Sequence, residues 1–342
     1  MKTINGYMHG INLGGWFSQC VHTREHYDSF IGKEDIARIR DWGFDHVRLP
    51  VDYDLVEDAE GSYFPDGFDR IQQVIDWCGE YGLNMVLDLH KTYGFSFDDG
   101  EEESGFFENE AYQERFFRLW EQFALRFGKH SDRVAFELLN EVTDKEYSDK
   151  WNEIAAECIR RIRESAGDIK ILIGGYYNNS IEAMKDLDPP CDENIIYNFH
   201  CYEPLIFTHQ GAYWISSMDT SFRMPIDMTY GEYEERAEKQ LQHYFVSLDG
   251  FDRNEKFGPE FFEKLIAEAV QIAEERNVPL YCGEFGVIDL ASPEDTLEWY
   301  RMICSVFDKH GIGRAAWSYK AMDFGFTDER LKGVIDEIVR LV

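Results

Sequence analysis

Basic side chains are scarce in this chain of 342 residues: 34 Lys and Arg stand against 66 Asp and Glu, for a formal charge of −32. A surface so acidic repels the phosphates of nucleic acid and of anionic membranes, so neither is an expected partner. A neutral ligand fits it, as does plain solubility. Cysteine is sparse and scattered. Cys20, Cys78, Cys158, Cys191, Cys201, Cys282 and Cys304 are odd in number and include no C-x-x-C pair. That speaks for reduced thiols and against a disulfide framework or a zinc knuckle. No apolar run is long enough to cross a bilayer, and MKTINGYMHG lacks the apolar stretch of a secretion signal. The expectation is a soluble chain, cytoplasmic as written, or secreted if a leader was removed. Two motifs are missing as well. No G-x-G-x-x-G follows the first apolar run, and no G-x-S-x-G is present to form a nucleophile elbow.

What is present is material for a large core, since 44% of residues are hydrophobic and 15% aromatic. Short apolar runs alternate with amphipathic segments throughout. The strand candidates are HGINL (9–13), HVRLP (46–50), MVLDLH (85–90), VAFELLN (134–140), KILIGG (170–175), NIIYNFH (194–200), PLYCGEF (279–285) and RAAWSY (314–319). Between them, segments such as FDRIQQVIDWCGEYG and WNEIAAECIRRIRESAG carry apolar residues near the 3.6-residue helical period, several ending in Gly. Eight strands, each followed by a helical pattern, predict an α/β fold, a closed (β/α)₈ barrel occupying 1–342 as one domain. A doubly wound open sheet is disfavoured without a phosphate loop. The interval after the sixth strand is too long for one unit. It predicts an insertion subdomain over 203–258, above the barrel mouth, rich in aromatics: Tyr213, Trp214, Phe222, Tyr230, Tyr233, Tyr244 and Phe245. A second long connection, with FDDGEEESG, reads as a solvated loop.

Side chains two apart on a strand share a face, and the C-terminal strand ends of such a barrel form its active face. Applied to each run, these rules bring to one mouth Arg48, Asp88 with His90, Asn140 with Glu141, Asn198 with His200 and Tyr202, Glu284, and Trp317. Taken singly, each is explained as a satisfied structural group; six strands sharing the feature describe a polar pocket. No metal and no cofactor is expected, because strand one offers only His9 and strand eight ends in Trp317. Cys282 fits a small buried strand residue better than a nucleophile. Lys91, Lys170 and Lys320 have no cationic neighbour in sequence to lower their pKa for Schiff-base chemistry. Two carboxylates, from strands four and seven, remain, and such a pair across one mouth is what glycoside hydrolysis uses.

The stretches GINLGGWFSQ, GFDHVRLPVDYD, AFELLNEV, IIYNFHCYEP, LYCGEFGV and AAWSYKAMDFG occur in an order that resembles the family 5 glycoside hydrolases of the clan-A barrels, and among them the clostridial endoglucanase C type. The resemblance implies a retaining endo-β-1,4-glucanase acting on β-glucan polysaccharide or oligosaccharide, mixed-linkage glucan included. By it Glu141 is the acid/base and Glu284 the nucleophile. Arg48, His90, Asn140, His200, Tyr202 and Trp317 are implied as supporting and substrate-binding residues. Trp16 offers a further flat face for a sugar, and Trp214 fits a sugar platform and a core position equally. The residue after the strand-three His departs from the family pattern, being Lys91 in place of a second His, which leaves the glycan open. A β-mannanase or other β-glucanase on the same barrel is the alternative enzyme; a non-catalytic carbohydrate-binding barrel is the alternative of another class.

Overall fold

A computed structural model describes residues 2–98, 101, 103–242, 248 and 250–342. Eight parallel strands close into a barrel in sequence order. They are β1 (His9–Asn12), β2 (His46–Asp52), β3 (Asn84–Lys91), β4 (Val134–Glu137), β5 (Lys170–Ile173), β6 (Ile195–His200), β7 (Leu280–Glu284) and β8 (Gly313–Ala316). All eight fall on the expected runs, but β4 and β8 are shorter than their runs. Asn140, Glu141 and Trp317 therefore stand just beyond strand ends rather than on them.

The longer helices are α1 (Lys33–Asp41), α2 (Pro65–Tyr81), α3 (Glu110–Phe127), α4 (Ser148–Ser165), α5 (Tyr230–Gln240), α6 (Pro259–Arg276), α7 (Pro293–His310) and α8 (Ile335–Leu341). Their ends follow local chemistry. Helix α7 starts with Ser292, whose side chain accepts from the Asp295 N–H, has Pro293 in its first turn, and ends at Gly311 with φ 65°. One unit departs from the expected pattern. After β5 there is no long helix, only a four-residue turn (Tyr176–Asn179) and a 3₁₀ segment (Ile181–Asp186). The sequence there, YYNNSIEAMKDLDPP, is too short before its prolines for a packed α-helix.

Helices and strands share a continuous apolar layer that includes Ile36, Phe68, Trp120, Trp151, Phe262 and Trp299. The inside of the barrel differs. Its lower layer holds Tyr7, Val86, Ala135, Leu172, Ile196, Tyr281 and Ala315. Above that, Asn12, Arg48, Asp88, Glu137 and Asn198 are all fully buried. Charges at that depth persist only when paired and hydrogen-bonded. The barrel is thus built around a polar layer directly beneath its mouth.

Within the insertion, Tyr230, Tyr233 and Phe257 are buried, with Tyr233 and Phe257 ring centroids 4.7 Å apart and Phe257 5.1 Å from Phe261 of α6. Its earlier part reaches the strand ends, where His209 and Trp214 pack on Phe324, from the segment after β8. Tyr244 and Phe245 lie outside the described residues. The β3–α3 connection is not merely solvated. Lys91 Nζ lies 2.6 Å from Asp98 and 2.7 Å from Glu101, Gln19 donates to Asp98 at 2.9 Å, and Tyr53 donates to Glu103 at 2.7 Å.

Candidate active site

Arg48 is the centre of the polar layer. Its Nε and Nη2 grip both oxygens of Glu137 at 2.7 and 2.8 Å. Nη1 donates to Glu284 Oε1 at 2.7 Å and to Asn12 Oδ1 at 2.9 Å. Nη2 also donates to Asn140 Oδ1 at 2.8 Å and lies 3.1 Å from Asp88. One guanidinium thus touches three carboxylates, and its fork geometry lets it hold them in fixed directions. Glu137, in the middle of AFELLNEV, was not singled out from the sequence, although alternation places it on the face of Ala135. Asn198 completes its shell, donating to Glu137 Oε1 at 2.7 Å.

Glu141 and Glu284 meet above this hub. His200 joins them: its Nδ1 is 2.7 Å from Glu141 Oε1 and 3.6 Å from Glu284 Oε2. One oxygen of each glutamate and a nitrogen of His200 all lie within 4.8 Å of one another. Tyr202 donates to Glu284 Oε2 at 2.9 Å, and Asn178 donates to Glu141 Oε2 at 3.0 Å. The strand ends place these groups. The β6–β7 register shifts between Phe199 and His200, pairing His200 with Glu284, and such irregularities re-aim side chains beside active sites. Glycine at 283 is required there, since a Cβ would stand 2.6 Å from Asn198 Oδ1 and 3.1 Å from His200 Nε2.

Burial pushes both Glu141 and Glu284 up to about 7. Resting ionisation of Glu284 is therefore not automatic; it depends on opposing charge. For Glu284 the charge of Arg48 opposes burial at neutral pH and Tyr202 adds a hydrogen bond; for Glu141 the chief opposing group is the neutral Asn178 amide. Arg48 bonds directly to Glu284 and not to Glu141, an asymmetry that favours the charged form at Glu284. Burial holds His200 down to about 4, so its imidazole is neutral at pH 7. On strand three, Asp88 is pushed up to about 7 by burial against the pull of Arg48, and burial drives His90 well below its ordinary value. Their Oδ2 and Nδ1 are 2.5 Å apart.

Other expected residues separate. Asn140 is fully buried with its Oδ1 on Arg48 and its Nδ2 without a partner. His90 and Trp317 have parallel rings with centroids 5.8 Å apart. Trp16 departs from expectation: it is 2% exposed, stacks on Phe17 and Trp77, and donates to the Tyr27 carbonyl, so it serves the core and offers no sugar face. Trp214 is 37% exposed, at the rim beside His209. Cys282 is buried and its thiol is held well above its usual range by burial, which removes it as a nucleophile. Among the described residues, two groups bring His and carboxylate oxygens within metal-ligand reach: Glu141–His200–Glu284, and His22–Asp52–Asp54. In the first, Arg48 already supplies the cation.

Asn12 and Asn178 also escaped the sequence. Asn12 sits on a strand-one run marked only by apolar residues, and Asn178 lies in a connection with no strand-end signal.

A closed barrel that brings a half-buried and a buried glutamate together at the C-terminal ends of its strands has the architecture of the (β/α)₈ hydrolases. The family model for Cellulase (glycosyl hydrolase family 5) matches residues 8–323. Cellodextrinase A of Ruminococcus flavefaciens is 49% identical over 314 residues, covering 92% of this chain and 86% of that protein. Endoglucanase C of Acetivibrio thermocellus is 39% identical over 341 residues, covering 97% of each. A solved hyperthermophilic endo-β-1,4-glucanase in complex with substrate superposes with TM-score 0.76 at 23% identity, over 97% of each chain, a likeness of fold. The chain belongs to glycosyl hydrolase family 5 and is a glycoside hydrolase.

Proposed function

We propose that the chain is an endo-acting β-1,4-glucanase that cleaves with retention, Glu284 attacking and Glu141 exchanging the proton. The observation that supports it best is the close approach of the two glutamates, one oxygen of each lying within 4.8 Å of the other. Retaining pairs stand about 5–5.5 Å apart, while inverting pairs need about 6.5–9.5 Å to admit a water. Glu284, held as carboxylate by Arg48, attacks the anomeric carbon as Glu141 protonates the departing glycosidic oxygen. Esterification removes the negative charge of Glu284, so the proton affinity of Glu141 falls and it deprotonates the incoming water. Asn140, held beside Glu141 by its bond to Arg48, is assigned the sugar 2-OH in this reading, a contact that strengthens in the transition state.

The substrate class comes from the relatives at 49% and 39% identity, one named for cellodextrins and the other as an endoglucanase. The first of these names favours a second reading, cleavage of short soluble cellodextrins. Rates and product sizes on barley β-glucan, carboxymethylcellulose, glucomannan and cellopentaose separate the two: fast viscosity loss marks endo action, activity confined to cellopentaose marks the other. The first-formed anomer from a β-linked substrate, followed by NMR, is expected to be β; an α-anomer overturns retention.

A further inference from the structure

Three consecutive residues after β5, none of them glycine, have left-handed backbone: Tyr177 (φ 51°), Asn178 (φ 57°) and Asn179 (φ 54°). Such conformations cost of order 1 kcal/mol each and persist only where the surroundings enforce them. Here the enforcing contacts come from the chain that follows Glu141. The Tyr177 N–H donates to the Thr143 carbonyl at 3.1 Å and the Asn178 N–H to the Val142 carbonyl at 3.0 Å. Glu141 is itself left-handed, with φ 41°. Farther out, Lys145 donates to the Tyr176 hydroxyl at 2.9 Å, and that hydroxyl donates to Asp186 at 2.5 Å. Two strained segments are thus fastened back to back, and the product of the fastening is one contact: Asn178 Nδ2 on Glu141 Oε2 at 3.0 Å.

We propose that Asn178 is a positioning residue of the reaction, which fixes the direction of the Glu141 carboxyl and sets the pH above which it loses its proton. The inference rests on Glu141 as the proton donor. His200 holds Oε1 at 2.7 Å and Asn178 holds Oε2 at 3.0 Å, so both oxygens of the carboxyl are directed by a partner. A neutral amide donor favours the carboxylate without adding charge. It therefore offsets burial and the like charges of Glu137 and Asp98, while Arg48 acts in the same sense as Asn178 and Glu284 faces Glu141 from β7. Asp88 and Tyr202 also face this carboxyl.

Two variants separate side chain from backbone. Asn178→Ala removes the amide, and Asn178→Gly removes it while relieving the left-handed backbone. Both are expected to move the alkaline limb of kcat/KM on cellodextrins upward by about one pH unit. Both should lower kcat several-fold with KM little changed, and lose less on an aryl cellobioside with an activated leaving group. Asn178→Asp should move the limb further up, by adding a like charge. An alkaline limb unmoved in both Ala and Gly variants, with unchanged melting, overturns the proposal. Glu141→Gln is run beside them: if it keeps the alkaline limb and full activity on cellodextrins, Glu141 is not the donor, and the fault lies in that assignment rather than in Asn178.

Discussion

Glu137 touches no substrate in this mechanism, yet more of the site depends on it than on most residues that do. It takes the paired contact of Arg48, and its removal leaves a fully buried guanidinium with a partner missing. Breaking a buried pair from one side costs about 3–5 kcal/mol. Glu137→Ala is expected to lose stability of that order in urea denaturation, and to lose activity because Arg48 re-aims. Glu284→Gln should behave oppositely. Turnover should fall by several orders of magnitude while melting and cellodextrin binding persist, because Arg48 keeps Glu137 and Asp88; near-normal turnover places the nucleophile elsewhere. Titration adds a signed expectation. The folded-state pKa of Glu141, about 7, exceeds its ordinary 4.5, so the fold binds this proton more tightly than the unfolded chain does. The stability tied to that proton is fully present below 4.5 and is lost as pH rises through about 7. Glu141→Gln should therefore raise the melting temperature at pH 8, by an amount bounded by about 3 kcal/mol, with no gain at pH 4. A gain that is equal at both pH values is incompatible with a carboxyl raised by burial.

At the level of elements, strand positions were legible in the sequence because apolar runs and period-two alternation report barrel strands directly. Arg48, His90, Asn140, Glu141, His200, Tyr202 and Glu284 were legible because strand ends gather polar residues on one rim. Glu137 was obscured by its place inside a run that reads as core. Asn178 was hidden because a left-handed turn made of Tyr and Asn has no periodic signature. Trp16 was misplaced because a tryptophan near a strand end looks the same whether it faces a cleft or a helix. The missing helix after β5 shows how little room its connection offers once prolines close it. The register shift of β6 against β7 yields a sharp test. Gly283→Ala puts a methyl into Asn198 and His200, so it should cost kcat at least tenfold while circular dichroism keeps the barrel signature; full activity refutes the assigned close approach.

For the whole molecule, the charge of −32 matters most when the substrate is charged too. Anionic carboxymethylcellulose is repelled at low ionic strength, and salt screens that repulsion within about 10 Å at 0.1 M. KM for that polymer should fall as salt is raised from low levels, while KM for neutral barley β-glucan stays flat; equal responses mean that net charge does not govern encounter. Chelation by EDTA should leave both rates unchanged, because the cation beside Glu284 is a guanidinium.

The sharing of Arg48 among three acids has a use in synthesis. In the proposed mechanism, a barrel stripped of its attacking side chain, as in Glu284→Ala, retains a neutralised cation, an intact Glu141 and a small hollow beneath the sugar. Given an α-glycosyl fluoride, which mimics the missing ester, such a variant is equipped to join saccharides and has no means of cutting what it makes.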